Sequence, residues 1–144
     1  MEKNILSIDY GKKRWGLATC NELRVVFTLP AATQPAFSDK LTYLKKIIAE
    51  RKIQRLVVGL PLTLEGNKSP LTLEVERFIK EILTPLGLPI ATVDEGLSSY
   101  EAEASIPKQK IKKGLQGLKR GEGTVDSKAA ALLLEEYLAQ NNEL

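Results

Sequence analysis

Three apolar segments follow one another at the start of the chain with only short polar turns between them, and this arrangement constrains the fold most. Residues 4–9, 14–20 and 24–29 are rich in Ile, Leu, Val and aromatic side chains, which is typical of β-strands. The turns between them are Gly11-Lys12-Lys13 and Asn21-Glu22-Leu23. Because turns this short join antiparallel neighbours, we predict that the fold begins with three antiparallel strands.

The rest of the chain alternates helices with strands. Apolar residues at helical spacing predict helices over residues 39–51, with Ser38 as N-cap, and over 71–83. Strands are predicted over residues 55–60, where Pro61 ends the strand, and over 89–94. Ser98-Ser99-Tyr100-Glu101 resembles a capping box that opens a short helix, and residues 125–139 form a last, Ala/Leu-rich helix.

This order predicts an α/β fold in one domain of residues 1–144. The sheet is five-stranded and mixed, with three antiparallel strands followed by two parallel strands, and helices flank it. No apolar run is long enough to span a bilayer, and the chain enters a strand at once without a signal peptide. With only one cysteine, the chain fits a reducing cytoplasm.

The absence of histidine excludes several kinds of catalytic site. A Ser-His-Asp or Cys-His pair cannot form, and a zinc site of histidines or several cysteines is ruled out. Any metal must therefore be held by oxygen ligands, which favours Mg²⁺ or Mn²⁺.

Acidic residues stand at three boundaries between predicted elements. Asp9 ends the first strand, Asp94-Glu95 ends the last strand, and Asp126 opens the last helix. Such positions can converge on one edge of an α/β sheet. Carboxylates from separate elements could hold two divalent ions about 3.5–4 Å apart, which activate water for phosphodiester cleavage. Since successive strand residues face opposite ways, the sequence leaves open whether Glu95 or its neighbour Asp94 faces Asp9.

Each acidic residue also has a structural interpretation. Asp9-Tyr10-Gly11 could be a hairpin turn, because Asp and Gly are common in turns. Asp126 could complement the helix dipole, and Asp94-Glu95-Gly96 could be a solvated loop. Taken one at a time, the residues do not separate these interpretations from a metal site.

Basic residues form two groups. Lys12, Lys13 and Arg14 adjoin Asp9. The second group lies in residues 106–123, a long irregular segment with four glycines, and includes Lys110, Lys112 and Lys113. A charge run is often only a solvated surface, but this segment comes directly before Asp126. It could fold over a polyanion, where phosphate contacts supply affinity without sequence preference.

Four segments resemble the motifs of one protein family. They are Ile8 to Ala18, Val57 to Leu62 with Gly66, Val93 to Ala102, and Val125 to Leu134. In this order they are similar to the motifs of the YqgF family, also called RuvX-like, of nucleases and Holliday junction resolvases. The four occur in the order of the family and together span almost the whole chain.

The resemblance implies a ribonuclease H-like fold with the first strand at the centre of the sheet. It also implies a metal-dependent nuclease that matures the 5′ end of 16S ribosomal RNA and, in some members, cuts branched DNA. The acidic site of the family falls on Asp9, Glu95 and Asp126. In place of the arginine that commonly follows the Asp-Glu pair, this chain has Gly96, which removes a cation suited to phosphate.

The sequence therefore predicts a cytoplasmic nuclease that acts on structured nucleic acid, with Mg²⁺ or Mn²⁺ bound by Asp9, Glu95 and Asp126. Lys12, Lys13 and Arg14 would position phosphate with the lysines of residues 106–123, and Ser98 or Ser99 could bond a phosphate oxygen at a helix start. The resemblance favours precursor ribosomal RNA as the expected substrate. Cutting a four-way DNA junction is the alternative, and its two coordinated cuts would normally need a homodimer.

Two further hypotheses are open. Gly96 would fit a binding module that has lost catalysis. Asp9-Tyr10-Gly11 also resembles the first phosphate motif of the actin and sugar-kinase superfamily, which would indicate an ATP phosphotransferase. Those proteins close two such domains on the nucleotide, and 144 residues cannot supply both.

Overall fold

Five strands form one mixed sheet in the order β3-β2-β1-β4-β5 in the computed structural model, which describes residues 3–63, 65–96 and 127–141. The strands are β1 (Ile5–Asp9), β2 (Trp15–Cys20), β3 (Val26–Ala32), β4 (Arg55–Leu62) and β5 (Ile90–Gly96). The first three pair antiparallel, β4 pairs parallel with β1, and β5 pairs parallel with β4. The predicted mixed sheet is therefore confirmed, with β1 at its centre.

Helices cover both faces of the sheet. They are α1 (Phe37–Glu50), α2 (Pro70–Phe78) and α3 (Lys128–Gln140). A π-helical turn (Ile79–Leu83) and a 3-10 turn (Thr84–Leu86) continue α2. Ser69 caps α2 in a capping box with Thr72, whose hydroxyl also donates to the carbonyl of Pro61 and so ties the helix start to β4.

Alternation along the strands sends buried side chains to two cores. Leu6, Ile8, Trp15, Leu17 and Val58 pack on one face with buried residues of α1 and α2. On the other face, Ile5, Ala18, Val57 and Val93 pack against α3 through Ala130, Ala131, Leu133 and Leu134. The alanines bring α3 close enough for Ser7 of β1 to donate to the carbonyl of Ala130 at 2.7 Å. The face that α3 covers is called the α3 face below.

Several predicted boundaries are wrong. Ser38 is not the N-cap of α1: Ala36 holds that position, and the helix includes Phe37, whose ring packs edge-on against Trp15 at 5.5 Å. The third strand begins at Val26 and not at residue 24, because Arg24 takes a left-handed φ of 63° in the turn.

Pro61 does not end its strand. The ladder with β1 stops at Val58, whereas β4 remains paired with β5 as far as Leu62. Pro61 pairs with Glu95 of β5 and lies beyond the end of the β1 ladder, so the N–H that proline lacks is not needed for pairing with β1. β5 likewise extends to Gly96, so the Asp94-Glu95 pair lies within the strand.

The helix predicted over residues 71–83 is α-helical only from Pro70 to Phe78 and then widens into the π-helical turn. In the last predicted helix, α3 begins at Lys128, and residues 125 and 126 lie outside the described ranges. The short helix expected at Ser98 also lies outside them.

Candidate acidic site at the end of the central strand

Asp9 lies at the carboxyl end of the central strand and is partly exposed. Alternate strand residues share a face, so Asp9 lies on the α3 face with Ser7. Its antiparallel partner on β2 is Gly16. On the other side Ile8 pairs with Val58, so Gly59 follows at the level of Asp9. Both strands beside Asp9 thus present a residue without a side chain.

Glu95, and not Asp94, faces the same way as Asp9. Val93 is buried against α3, and Glu95, two residues further on, shares that face. Asp94 is exposed on the opposite face. The register therefore answers the question that the sequence leaves open.

The carboxylate of Glu95 lies over Gly59. A Cβ built on Gly59 would stand 2.6 Å from Cδ and 3.1 Å from Oε2 of Glu95. Since Gly59 is level with Asp9 and β4 is the next strand to β1, the two acidic side chains lie roughly one strand spacing apart, about 5 Å.

Ser127 anchors the start of α3 beside this edge of the sheet. Its hydroxyl donates to the carbonyl of Leu29 at 2.6 Å and accepts from the N–H of Leu17 at 3.1 Å. The register between β2 and β3 shifts here by one residue on β3, near Pro30, so the ladder does not join these two groups directly. Ser127 is completely buried and restores the connection. Leu17 adjoins Gly16, the partner of Asp9, so α3 begins close to Asp9.

Tyr10 ties the basic turn after β1 to α2. Its hydroxyl donates to Glu74 at 2.7 Å, and its ring packs on Phe78 at a centroid distance of 4.7 Å. Burial, and then the hydrogen bond and negative charge of Glu74, raise the pKa of Tyr10 to about 12. The other Glu74 oxygen lies 3.9 Å from Nζ of the exposed Lys12, a long ion pair at the surface that contributes little energy.

Gly11 allows this turn to close. A Cβ on Gly11 would lie 2.7 Å from the backbone oxygen of Arg14, closer than real contacts of this kind. The closed turn presents Lys12, Lys13 and Arg14 as exposed residues directly after Asp9. The basic residues therefore lie close to Asp9 in the folded turn, as their positions in the sequence predict.

The remaining predicted site residues lie outside the described ranges. They are Asp126, Ser98, Ser99, Lys110, Lys112 and Lys113. Within residues 3–63, 65–96 and 127–141, no group of three or more His, Cys, Asp or Glu side chains could hold a metal ion. The described structure therefore brings together two of the three predicted acidic ligands.

Sequence reasoning missed three residues that shape this region. Gly59 and Ser127 lie inside the segments that carried the family resemblance, but their contacts join residues far apart in the chain. Glu74 accepts a hydrogen bond from Tyr10, which is 64 residues away in the chain. Ser127 stands at the N-cap position of α3, yet its side chain makes no cap hydrogen bond and binds the sheet.

The sequence matches a known family model over residues 3–140, and that family is described as RuvX, Holliday junction resolvase. The chain belongs to the RuvX family. It is 34% identical over 136 residues to a protein of Acaryochloris marina named "Putative pre-16S rRNA nuclease", covering 94% of this chain and 91% of that protein. A protein of Chlorobium phaeobacteroides with the same name is 38% identical over 138 residues, covering 94% and 92%.

Solved structures share the fold of this RuvX-family chain. Thermus thermophilus RuvC superposes with a TM-score of 0.56 at 13% identity, covering 96% of each chain. The Holliday junction resolvase of fowlpox virus gives a TM-score of 0.57 at 14% identity, covering 95% of this chain and 98% of that one. The predicted ribonuclease H-like fold is confirmed. In the described part of this chain, no helix is both long and apolar enough to cross a membrane.

Proposed function

We propose that this protein is a divalent-metal-dependent nuclease of the cytoplasm, acting as one domain over residues 1–144, whose substrate is precursor 16S ribosomal RNA. The observation that carries the proposal is the placement of the Glu95 carboxylate over Gly59, level with Asp9 on the same face of the sheet. The family of the chain is named for resolvase activity, and its relatives are named for nuclease activity on pre-16S rRNA. Both activities hydrolyse phosphodiesters.

The side chains at this edge suit Mg²⁺ or Mn²⁺. Asp9 and Glu95 offer carboxylate oxygens, the ligands that these hard cations prefer, and no histidine is present in the chain. Bound there, such ions would activate water and stabilise the leaving oxygen. Asp126 is the proposed third ligand, because it directly precedes in sequence Ser127, which is anchored beside the partner of Asp9.

The basic turn is the proposed phosphate-binding element. Lys12, Lys13 and Arg14 are exposed next to Asp9, and Tyr10 and Gly11 hold the turn in place. Cations there would position the backbone of a nucleic acid without reading its sequence. Lys110, Lys112 and Lys113 would add phosphate contacts. They could compensate for the arginine that the family commonly has at the position of Gly96. Ser98 or Ser99 would form a hydrogen bond to a phosphate oxygen.

A Holliday junction resolvase is the second candidate function. The description of the matched family and the fold shared with the Holliday junction resolvase of fowlpox virus favour it. Since a four-way junction needs two coordinated cuts, this activity would require a homodimer.

Incubation of the purified protein with pre-16S rRNA and with a four-way DNA junction, each with Mn²⁺ and with chelator, tests the proposal. We expect metal-dependent cleavage of the RNA. Cleavage of the junction alone would favour the second candidate, and binding of nucleic acid without cleavage of either would favour a module that has lost catalysis.

Two neighbouring carboxyl groups provide a matched pair of variants. Glu95→Gln and Asp9→Asn should abolish cleavage while binding of the RNA largely survives, because each removes one charge from the acidic edge. Asp94→Asn removes the same charge one residue away, on the opposite face, and should cleave as the parent does. Equal loss of activity in Asp94→Asn and Glu95→Gln would contradict the assignment of Glu95.

A further inference from the structure

The space over Gly59 is occupied by an acidic side chain from the neighbouring strand. Gly59 is buried in the middle of the sheet, on the strand between β1 and β5. A Cβ at this position would overlap the carboxylate of Glu95, at 2.6 Å from its Cδ. The Cβ of any residue other than glycine at position 59 would therefore occupy the space that the Glu95 carboxylate fills.

The backbone of Gly59 does not itself require glycine. Among the described glycines, only Gly66 and Gly87 have a positive φ. Gly59 pairs regularly with Val93 in a parallel ladder that any residue can join. The requirement for glycine at this position is therefore spatial.

Glu95 reaches Gly59 by folding back along the sheet. Its own partner in the ladder is Pro61, two residues beyond Gly59, and two residues of a parallel strand span roughly 6.6 Å. The glutamate side chain thus brings its carboxylate from the end of β5 back to the level of Asp9. A shorter acidic side chain would not cover this distance as well.

We propose that Gly59 is a positioning residue that holds the Glu95 carboxylate beside Asp9. This inference rests on the proposed function and names how one acidic ligand of that site is placed. An added methyl group at residue 59 pushes the carboxylate away from β4. Since Glu95 is only partly buried, the displaced side chain can turn toward solvent while the sheet remains paired. Gly59→Ala therefore separates loss of the site from loss of the fold.

The test compares Gly59→Ala with the parent, with Glu95→Ala and with the double variant. Mn²⁺ affinity is measured by the electron paramagnetic resonance signal of free Mn²⁺, alongside cleavage of the RNA and the melting temperature without metal. Loss of a group that orients a metal ligand typically costs about 10–100-fold in affinity, and we expect a loss of that size in Gly59→Ala. In the Glu95→Ala background the same substitution should change nothing further, because its target is gone.

Gly87→Ala is the matched control. Gly87 has a φ of +83° and open space around it, so the alanine strains the backbone far from the site. It should lower the melting temperature and leave Mn²⁺ affinity unchanged. A Gly59→Ala protein that binds Mn²⁺ as the parent does would overturn the inference, as would an equal loss in the presence and absence of Glu95.

The ¹³C resonance of the Glu95 carboxyl in the metal-free protein decides the placement without any metal or substrate. It should move in Gly59→Ala and stay in Gly87→Ala, and an unchanged resonance in Gly59→Ala refutes the positioning role. A parent protein that neither binds Mn²⁺ nor cleaves nucleic acid would refute the proposed function instead, and the resonance would still decide whether Gly59 places Glu95.

Discussion

Replacing Ser127 with alanine should destabilise the protein far more than replacement of a comparable buried serine. The Ser127 hydroxyl satisfies the N–H of Leu17 and the carbonyl of Leu29 where the β2–β3 ladder shifts register. A buried N–H left without a partner costs about 1–3 kcal/mol, and the hydrogen bond to the carbonyl adds about 1 kcal/mol. We expect the free energy of unfolding to fall by about 2–4 kcal/mol, a large part of the roughly 5–15 kcal/mol typical of a domain.

Urea unfolding followed by tryptophan fluorescence measures this loss. Trp15 is the only tryptophan of the chain and is buried in the core, so its emission reports global unfolding. At a slope of about 2 kcal/mol per molar urea, the midpoint should fall by about 1–2 M. The slope itself should not change if the denatured state is unaffected.

Ser7→Ala is the control. Ser7 is also completely buried and also links the sheet to α3, but it donates to the carbonyls of Ala130 and Ala18, which lie in the helix and in the ladder. Its loss leaves no N–H without a partner, and we expect a cost of about 1 kcal/mol. If Ser127→Ala and Ser7→Ala unfolded at the same urea concentration, the role given to Ser127 at the bulge would be wrong.

Three predictions concern the basic turn. Gly11→Ala should cost about 1–3 kcal/mol in urea unfolding, because its Cβ meets the Arg14 backbone oxygen; an unchanged midpoint would contradict this. The pKa of Tyr10 is raised from 10.0 to about 12, so the stability that its protonated hydroxyl supplies is complete below pH 10 and is lost toward pH 12. The melting temperature of Tyr10→Phe should therefore fall less than that of the parent over this range, and parallel curves would refute the linkage. Glu74→Gln removes the charge beside Lys12 and keeps an acceptor for Tyr10. It should bind RNA about twofold more tightly in low salt, as loss of a surface ion pair allows, and fluorescence anisotropy should show no difference in high salt.

The sequence predicted most of the sheet because the relevant signals are local. Short turns between β1, β2 and β3 allow only antiparallel neighbours, and apolar spacing distinguished the helices from the strands. The predicted boundaries of helices and strands were wrong where a contact with a distant part of the chain decides them. Phe37 joins α1 where its ring packs on Trp15, and Pro61 remains in a strand because β5 alone pairs with it there.

For the candidate acidic site, too, part of the arrangement could be predicted from the sequence and part required the structure. Its candidate residues follow from the sequence, because carboxylates at the boundaries of Asp9 and Glu95, in a chain without histidine, favour oxygen-ligated metal. Which acid of the Asp94-Glu95 pair faces Asp9 required the register of β5, since neighbouring strand residues point to opposite faces. The prediction for Asp126 remains a prediction, because that residue lies outside the described ranges.

Residue types, their order and their local spacing were sufficient for the mixed sheet and for a set of acidic candidates, Asp9, the Asp94-Glu95 pair and Asp126. Only the tertiary structure placed the Glu95 carboxylate over Gly59 and the Ser127 hydroxyl in the gap between β2 and β3. Both contacts join residues that are far apart in the chain. The first is possible because Gly59 has no side chain, and the second because the β2–β3 ladder is irregular near Pro30. Neither contact can form until the strands and α3 have packed together.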